Sequence, residues 1–134
     1  MLRYFVDAWF YIALIDRRDS HHAQAVRLAG TLAPQQLVTH DAVFTEFLAY
    51  FAEEGARIRR HAVESIRRAI RVSQVVPADR ELFLAGLDRY AARPDEEWSH
   101  VDCMSMVVME DRGIRHVLTN DHHFSQAGFT VVNE

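Results

Sequence analysis

The sequence has no lysine: all 15 of its basic residues are arginine. That absence removes P-loop nucleotide binding, Schiff-base chemistry and phosphoaspartate sites that need a lysine partner. Cysteine is nearly absent too. Cys103 stands alone, which excludes an internal disulfide, a zinc knuckle and a redox pair. No apolar run approaches the roughly 20 residues of a membrane span, and the N-terminus lacks the basic, apolar and small-residue order of a signal peptide. We therefore expect a cytoplasmic protein with no membrane partner. An excess of positive charge is missing as well. The formal net charge of -4 argues against holding nucleic acid by bulk electrostatics but leaves local patches free to do so.

What is present is a chain of 134 residues, 49% hydrophobic, long enough to bury a sizeable core and short enough to be one domain over 1–134. Short β-branched runs, at residues 3–6, 36–40, 73–76, 116–119 and 129–132, alternate with longer helix-like segments. This alternation implies an α/β fold with a parallel sheet flanked by helices. Helices are expected over 20–32 with Ser20 as cap, 42–53, 56–71, 80–92 capped by Asp79, and 100–112 capped by Ser99. Gly30, Gly55, Gly113 and Gly128 punctuate their ends or the turns.

The segment 56–71 is strongly amphipathic. At about 100° per residue, Ile58, Ala62, Ile66 and Ile70 share one face, while Arg57, Arg60, Arg67, Arg68 and Arg71 gather on the other. Such a strip is either a solvated face offset in part by Glu64 or a phosphate-contacting surface.

Four carboxylates stand in unusual places. Asp7 and Asp121 each follow an apolar strand and precede a helix start, at the strand ends where open parallel sheets bind ligands. Each taken singly fits a helix cap. Glu46 flanks the apolar stripe of its helix, a half-buried position. Asp102 lies in a segment that is apolar nearly all round, and Ser99 with Asp102 fits the capping-box spacing. A cap accounts for Asp7, Asp102 or Asp121 taken alone, and a snorkelling place at the rim of the core for Glu46. Neither accounts for four placed at strand ends and core-facing helix edges with no basic residue beside them. Converging carboxylates repel, and a hard divalent cation, Mg²⁺ or Mn²⁺, is the natural way to stabilise them. Such a site suits hydrolysis of a phosphodiester by an activated water. The pairs His21-His22 and His122-His123 invite a zinc reading, but adjacent histidines do not easily share one ion. Solvent-exposed or helix-start roles are expected for them.

Four stretches carry a family resemblance: VDAWFYIALID with Asp7, HDAVFTEFLAYF with Glu46, WSHVDCMS with Asp102, and LTNDHHFSQAGF with Asp121. Over nearly its whole length the chain resembles a PIN domain, in particular the VapC-like ribonuclease toxins of bacterial toxin-antitoxin modules. The resemblance implies a three-layer α/β/α fold around a five-stranded parallel sheet in the order 3-2-1-4-5. It also implies a Mg²⁺- or Mn²⁺-dependent endoribonuclease whose metal ligands are Asp7, Glu46, Asp102 and Asp121. Ser99, Ser105 and Thr119 match supporting polar positions. RNA as substrate, a cognate antitoxin and a homodimer follow from the same likeness. Ala8 and Trp9 replace small polar residues common in the family. They motivate the alternative of a PIN-like RNA-binding or partner-binding module with little or no turnover.

Overall fold

The computed structural model describes residues 1–132. Five short strands, β1 (Tyr4–Val6), β2 (Leu37–His40), β3 (Gln74–Val76), β4 (His116–Leu118) and β5 (Thr130–Val132), form one sheet in the order β3-β2-β1-β4-β5. Every pairing is parallel, with Tyr4 set between Leu37 and His116. The expected topology is thus observed. The helices are α1 (Ala8–Ile15), α2 (His22–Ala29), α3 (Asp41–Tyr50), α4 (Ala56–Val72), α5 (Arg80–Ala92), α6 (His100–Arg112) and α7 (His123–Gln126), and a 3₁₀ turn, Pro34–Gln36, leads into β2.

Strand side chains alternate between two apolar layers, as the pleat requires. Phe5, Val38 and Val117 enter the larger core with residues of α3, α4 and α6. Val6 and Leu118 enter a smaller one with Phe10 and Ala13 of α1 and Ala25 and Leu28 of α2. Both faces of the sheet are covered, which is the condition under which an all-parallel sheet is stable.

Local chemistry sets most helix ends. Asp79 accepts a hydrogen bond from Leu82 N at 2.9 Å and starts α5 as expected. Ser99 and Asp102 form a complete capping box at the start of α6. At the other end of α6, Gly113 takes a left-handed conformation (φ 66°) and the Ile114 amide returns to Met109 O at 2.8 Å. The chain thereby turns sharply enough to enter β4 at His116. One close approach depends on a second glycine. A Cβ on Gly86 of α5 would stand 2.5 Å from Met104 Cγ and 3.1 Å from Met104 N, so the absent side chain lets α5 lie against α6.

Several boundaries differ from expectation. Ser20 caps nothing: α2 begins at His22, and Asp19 instead holds the preceding turn by accepting from His21 N at 2.8 Å. α3 ends at Tyr50, because a turn runs from there to Gly55, whose φ of 91° launches α4. α1 follows Asp7 directly, and its nearly uniform apolarity left no polar face to mark its extent. Ile70 is 53% exposed, since successive i+4 steps drift around the helix and leave Ala69 in the core in its place.

Candidate metal centre

The chain moves outward from β1 through β2 to β3, then restarts on the other side of β1 at β4. The crevice beyond the carboxyl ends of β1 and β4 is therefore the switch point at which open α/β sheets bind ligands. Asp7 leaves the end of β1, Thr119 and Asp121 leave the end of β4, and α6 brings Asp102 to the same place from its first turn.

Asp7 occupies the N-cap position of α1 but makes no side-chain cap. It is 3% exposed, and its Oδ2 accepts the Thr119 hydroxyl at 2.8 Å. Thr119 Oγ1 in turn accepts from Asp121 N at 3.0 Å, so one hydroxyl ties the two acids together. Asp121 Oδ1 accepts from His123 N at 2.9 Å and fixes the turn into α7. Asp102 Oδ2 accepts from Ser99 N at 3.1 Å and faces His123 Nδ1, also at 3.1 Å. Asp102 therefore belongs both to a cap and to the cluster.

Ligand atoms of Asp102, Asp121 and His123 lie within 4.8 Å of one another. Asp7 joins them through Thr119. Glu46, on α3, is half-buried and feels the charges of Asp102 and Asp121. Burial pushes Asp7 up to about 7, with the Thr119 hydroxyl opposing the shift and Asp102 and Glu46 adding to it. Burial likewise pushes Glu46 up to about 7, with Asp102 and Asp121 contributing. Asp102 is raised by burial, against the bond from Ser99. Burial is thus the leading cause for Asp7, Glu46 and Asp102, and no arginine pairs with any of the four carboxylates among the described residues. Asp16 is the contrast. This equally buried acid is held by the Arg18 guanidinium at 3.0 Å and by the Tyr50 hydroxyl at 2.9 Å. A cluster of carboxylates with one imidazole and no cation fits a divalent metal in both charge and donor chemistry.

The supporting residues divide. Thr119 and Ser99 contact the acids as described. Ser105 does not: its hydroxyl donates to Val101 O, and His40 Nε2 lies 2.9 Å from it. His40 is fully buried, Nδ1 has no partner, and burial lowers its pKa to about 4. Of the adjacent histidines, His122 is 74% exposed, as expected. His123 starts α7, the helix-start role expected of it, but its ring also turns inward onto two carboxylates, which was not expected. Its position two residues after Asp121 was the available signal. Arg57, Arg60, Arg67, Arg68 and Arg71 are all exposed on α4, and Arg68 sits at the rim of an apolar groove lined by Tyr11, Leu32, Phe47 and Val72.

Comparison with known proteins places these features in a wider set. A family model described as the PIN domain matches residues 4–130. The 23S rRNA-specific endonuclease VapC20 of Mycobacterium tuberculosis is 32% identical over 133 residues, covering 96% of each chain. The crystal structure of the M. tuberculosis VapC20, a sarcin-ricin loop cleaving toxin, superposes with a TM-score of 0.87 at 30% identity, covering 97% of this chain and 98% of that one. FitAcB from Neisseria gonorrhoeae shares the fold at a TM-score of 0.74 and 14% identity, covering 96% of both.

Proposed function

Because the chain belongs to the PIN domain family, we propose that it is a metal-dependent endoribonuclease acting as the toxin of a toxin-antitoxin pair, with structured ribosomal RNA as its substrate class. The observation that carries this reading is the convergence of Asp102, Asp121 and His123, with Asp7 tied in through Thr119, at the switch point of the sheet.

Asp7, Glu46, Asp102 and Asp121 would hold Mg²⁺ or Mn²⁺. When bound, the ion supplies Lewis-acid polarisation of the scissile phosphate and acidifies a water at the site. The chain's own residues prepare the place. Thr119 holds Asp7 and the Asp121 backbone in register, and the capping box fixes Asp102 on a rigid helix instead of a loop. The buried wall under Asp7 keeps the local dielectric low, which strengthens every charge interaction made there. Arg57, Arg60, Arg67, Arg68 and Arg71 are an RNA-phosphate surface in this reading, and all five are exposed and free to make such contacts.

An open acidic site also invites restraint by a partner. We expect an antitoxin that places arginine or lysine among the four carboxylates, a toxin that dimerises, and action in the cytoplasm as one domain over 1–134. No described helix is long and apolar enough to cross a membrane. Two measurements test the function. Purified protein incubated with ribosomal RNA should cut it at discrete positions with Mn²⁺ or Mg²⁺ and cease with chelator. Expression alone should arrest growth, and co-expression with the adjacent upstream gene should relieve it. Folded, metal-loaded protein that leaves RNA intact would favour the alternative of a binding module.

A further inference from the structure

We propose that His123 supplies, through Nδ1, a nitrogen ligand to the divalent ion held by Asp102 and Asp121, and that this nitrogen biases the site toward Mn²⁺ over Mg²⁺. The inference rests on the reading of the carboxylate cluster as a metal centre and names a determinant of its selectivity.

The first support is distance. His123 Nδ1 stands 3.1 Å from Asp102 Oδ2 and 3.1 Å from Asp121 Oδ2. An octahedron with bonds of about 2.1 Å sets neighbouring donor atoms roughly 3 Å apart, so both separations match edges of such a shell. In the metal-free site the same separations are those of N–H···O contacts from one ring nitrogen to two carboxylates, so Nδ1 already stands at the point where the two acids converge. The second support is rigidity. His123 N donates to Asp121 Oδ1 at 2.9 Å, and Asp121 N donates to Thr119 Oγ1, so backbone bonds fix the ring's attachment point relative to the carboxylates. The ring itself is 20% exposed, against 74% for its neighbour His122, and is thus largely enclosed with the acids.

Selectivity follows from donor softness. Mg²⁺ takes oxygen ligands and keeps much of its water, whereas Mn²⁺, although it also favours carboxylates, is a transition ion and gains more from an imidazole nitrogen than Mg²⁺ does. A site of carboxylates alone offers Mn²⁺ little advantage. One imidazole in the shell gives it one.

The experiment uses the full chain, Mn²⁺ and Mg²⁺ titrations, and pulsed electron paramagnetic resonance of bound Mn²⁺. His123→Asn is the informative variant, because the Asn amide can take the place of Nδ1 and hydrogen-bond the carboxylates in the metal-free protein, as a protonated Nδ1 does, but its nitrogen offers no lone pair to a metal. Unmodified protein should show ¹⁴N modulation from a coordinated imidazole. His123→Asn should lose it, and its Mn²⁺ affinity should fall by about tenfold or more, a scale that even outer-shell changes reach at metal sites. Mg²⁺ affinity should change far less, and His122→Asn should behave as unmodified protein. Bound Mn²⁺ without ¹⁴N modulation, modulation that disappears with His122→Asn instead, or equal losses for the two ions would overturn the role of His123 while leaving the carboxylate site intact. Failure of the unmodified chain to bind Mn²⁺ at all would overturn the metal centre and the inference with it.

Discussion

Thr119 Oγ1 donates to Asp7 Oδ2 at 2.8 Å across 112 positions of sequence and accepts from Asp121 N at 3.0 Å. A single hydroxyl therefore joins the ends of two adjacent strands and orients two acids of the cluster. Thr119→Val keeps the shape and the β-branched fit while removing both bonds. A buried polar group left without its partner costs about 1–3 kcal/mol, and here the orphan is a carboxylate. The variant should unfold at lower temperature, bind Mn²⁺ more weakly and cleave RNA more slowly. Calorimetry and metal titration check the two losses separately.

Asp7 predicts how the metal-free protein responds to pH. Its folded carboxyl is pushed up to about 7, well above the ordinary 3.8. Between those values the folded state holds a proton that the unfolded state has released, so stability falls as pH rises through the window. Glu46, also raised to about 7, adds in the same direction. His40, lowered to about 4, opposes both up to its ordinary value of 6.5. Comparing variants isolates the contribution of Asp7. Asp7→Asn should gain stability relative to unmodified protein on going from about pH 5 to about pH 8 in chelator, and Mn²⁺ should restore the unmodified protein at the higher pH. Denaturant melts at the two pH values measure this, and a constant difference between the two proteins would contradict it.

Much of this was legible in the sequence for local reasons. The caps at Asp79 and Ser99 act over three residues, and their bonds are those the spacing implied. The alternation of β-branched runs with helices carried the parallel sheet. Asp7 and Asp121 could be set at strand ends because strand and acid are contiguous. What escaped were relationships closed only in three dimensions. Whether His123 points outward or onto Asp102, 21 residues earlier, depends on where α7 begins, and no short-range pattern sets that. Ser105 looked like a neighbour of Asp102, yet it lies one turn on and faces His40, 65 residues away. The pairing of Asp16 with Tyr50 across 34 residues was hidden for the same reason.

Gly86 carries a prediction that helix propensity alone would reverse. In an exposed helix Gly→Ala is stabilising by up to about 1 kcal/mol. Here the added methyl meets Met104 Cγ at 2.5 Å and Met104 backbone within 3.1–3.2 Å. Forcing α5 off α6 should cost about 1–3 kcal/mol and, because Asp102 rides on α6 two residues earlier, should weaken metal binding too. Thermal melts of Gly86→Ala decide the sign.

The arginine strip makes its own test. If Arg57, Arg60, Arg67, Arg68 and Arg71 meet RNA phosphates, replacing Arg57, Arg60 and Arg67 with glutamine should weaken RNA binding. It should also reduce the slope of log affinity against log salt by about 0.7 for each phosphate of a single strand that is no longer neutralised. Mn²⁺ affinity should not move. An unchanged salt slope would return α4 to a solvated face.

Asp102 separates capping from chemistry most cleanly because the structure gives it both duties. Its Oδ2 closes the capping box with Ser99 N and lies against His123 Nδ1. Asp102 is the N3 member of the capping box, and the Asn carbonyl can still accept from Ser99 N and keep the box closed. Asp102→Asn should therefore retain the fold, and in metal-free protein at about pH 8 it should be at least as stable as the unmodified chain, since one of the mutually repelling charges is gone. The negative charge that a hard cation requires is gone as well, so Mn²⁺ affinity and RNA cleavage should collapse together. Asp102→Ala supplies the comparison. It loses the bond from Ser99 N and the ligand alike, and should add a stability loss of about 0.5–1.5 kcal/mol, the net worth of one hydrogen bond, to the same loss of cleavage. A folded Asp102→Asn protein that cuts RNA at an undiminished rate with Mn²⁺ present would leave Asp102 as a cap alone.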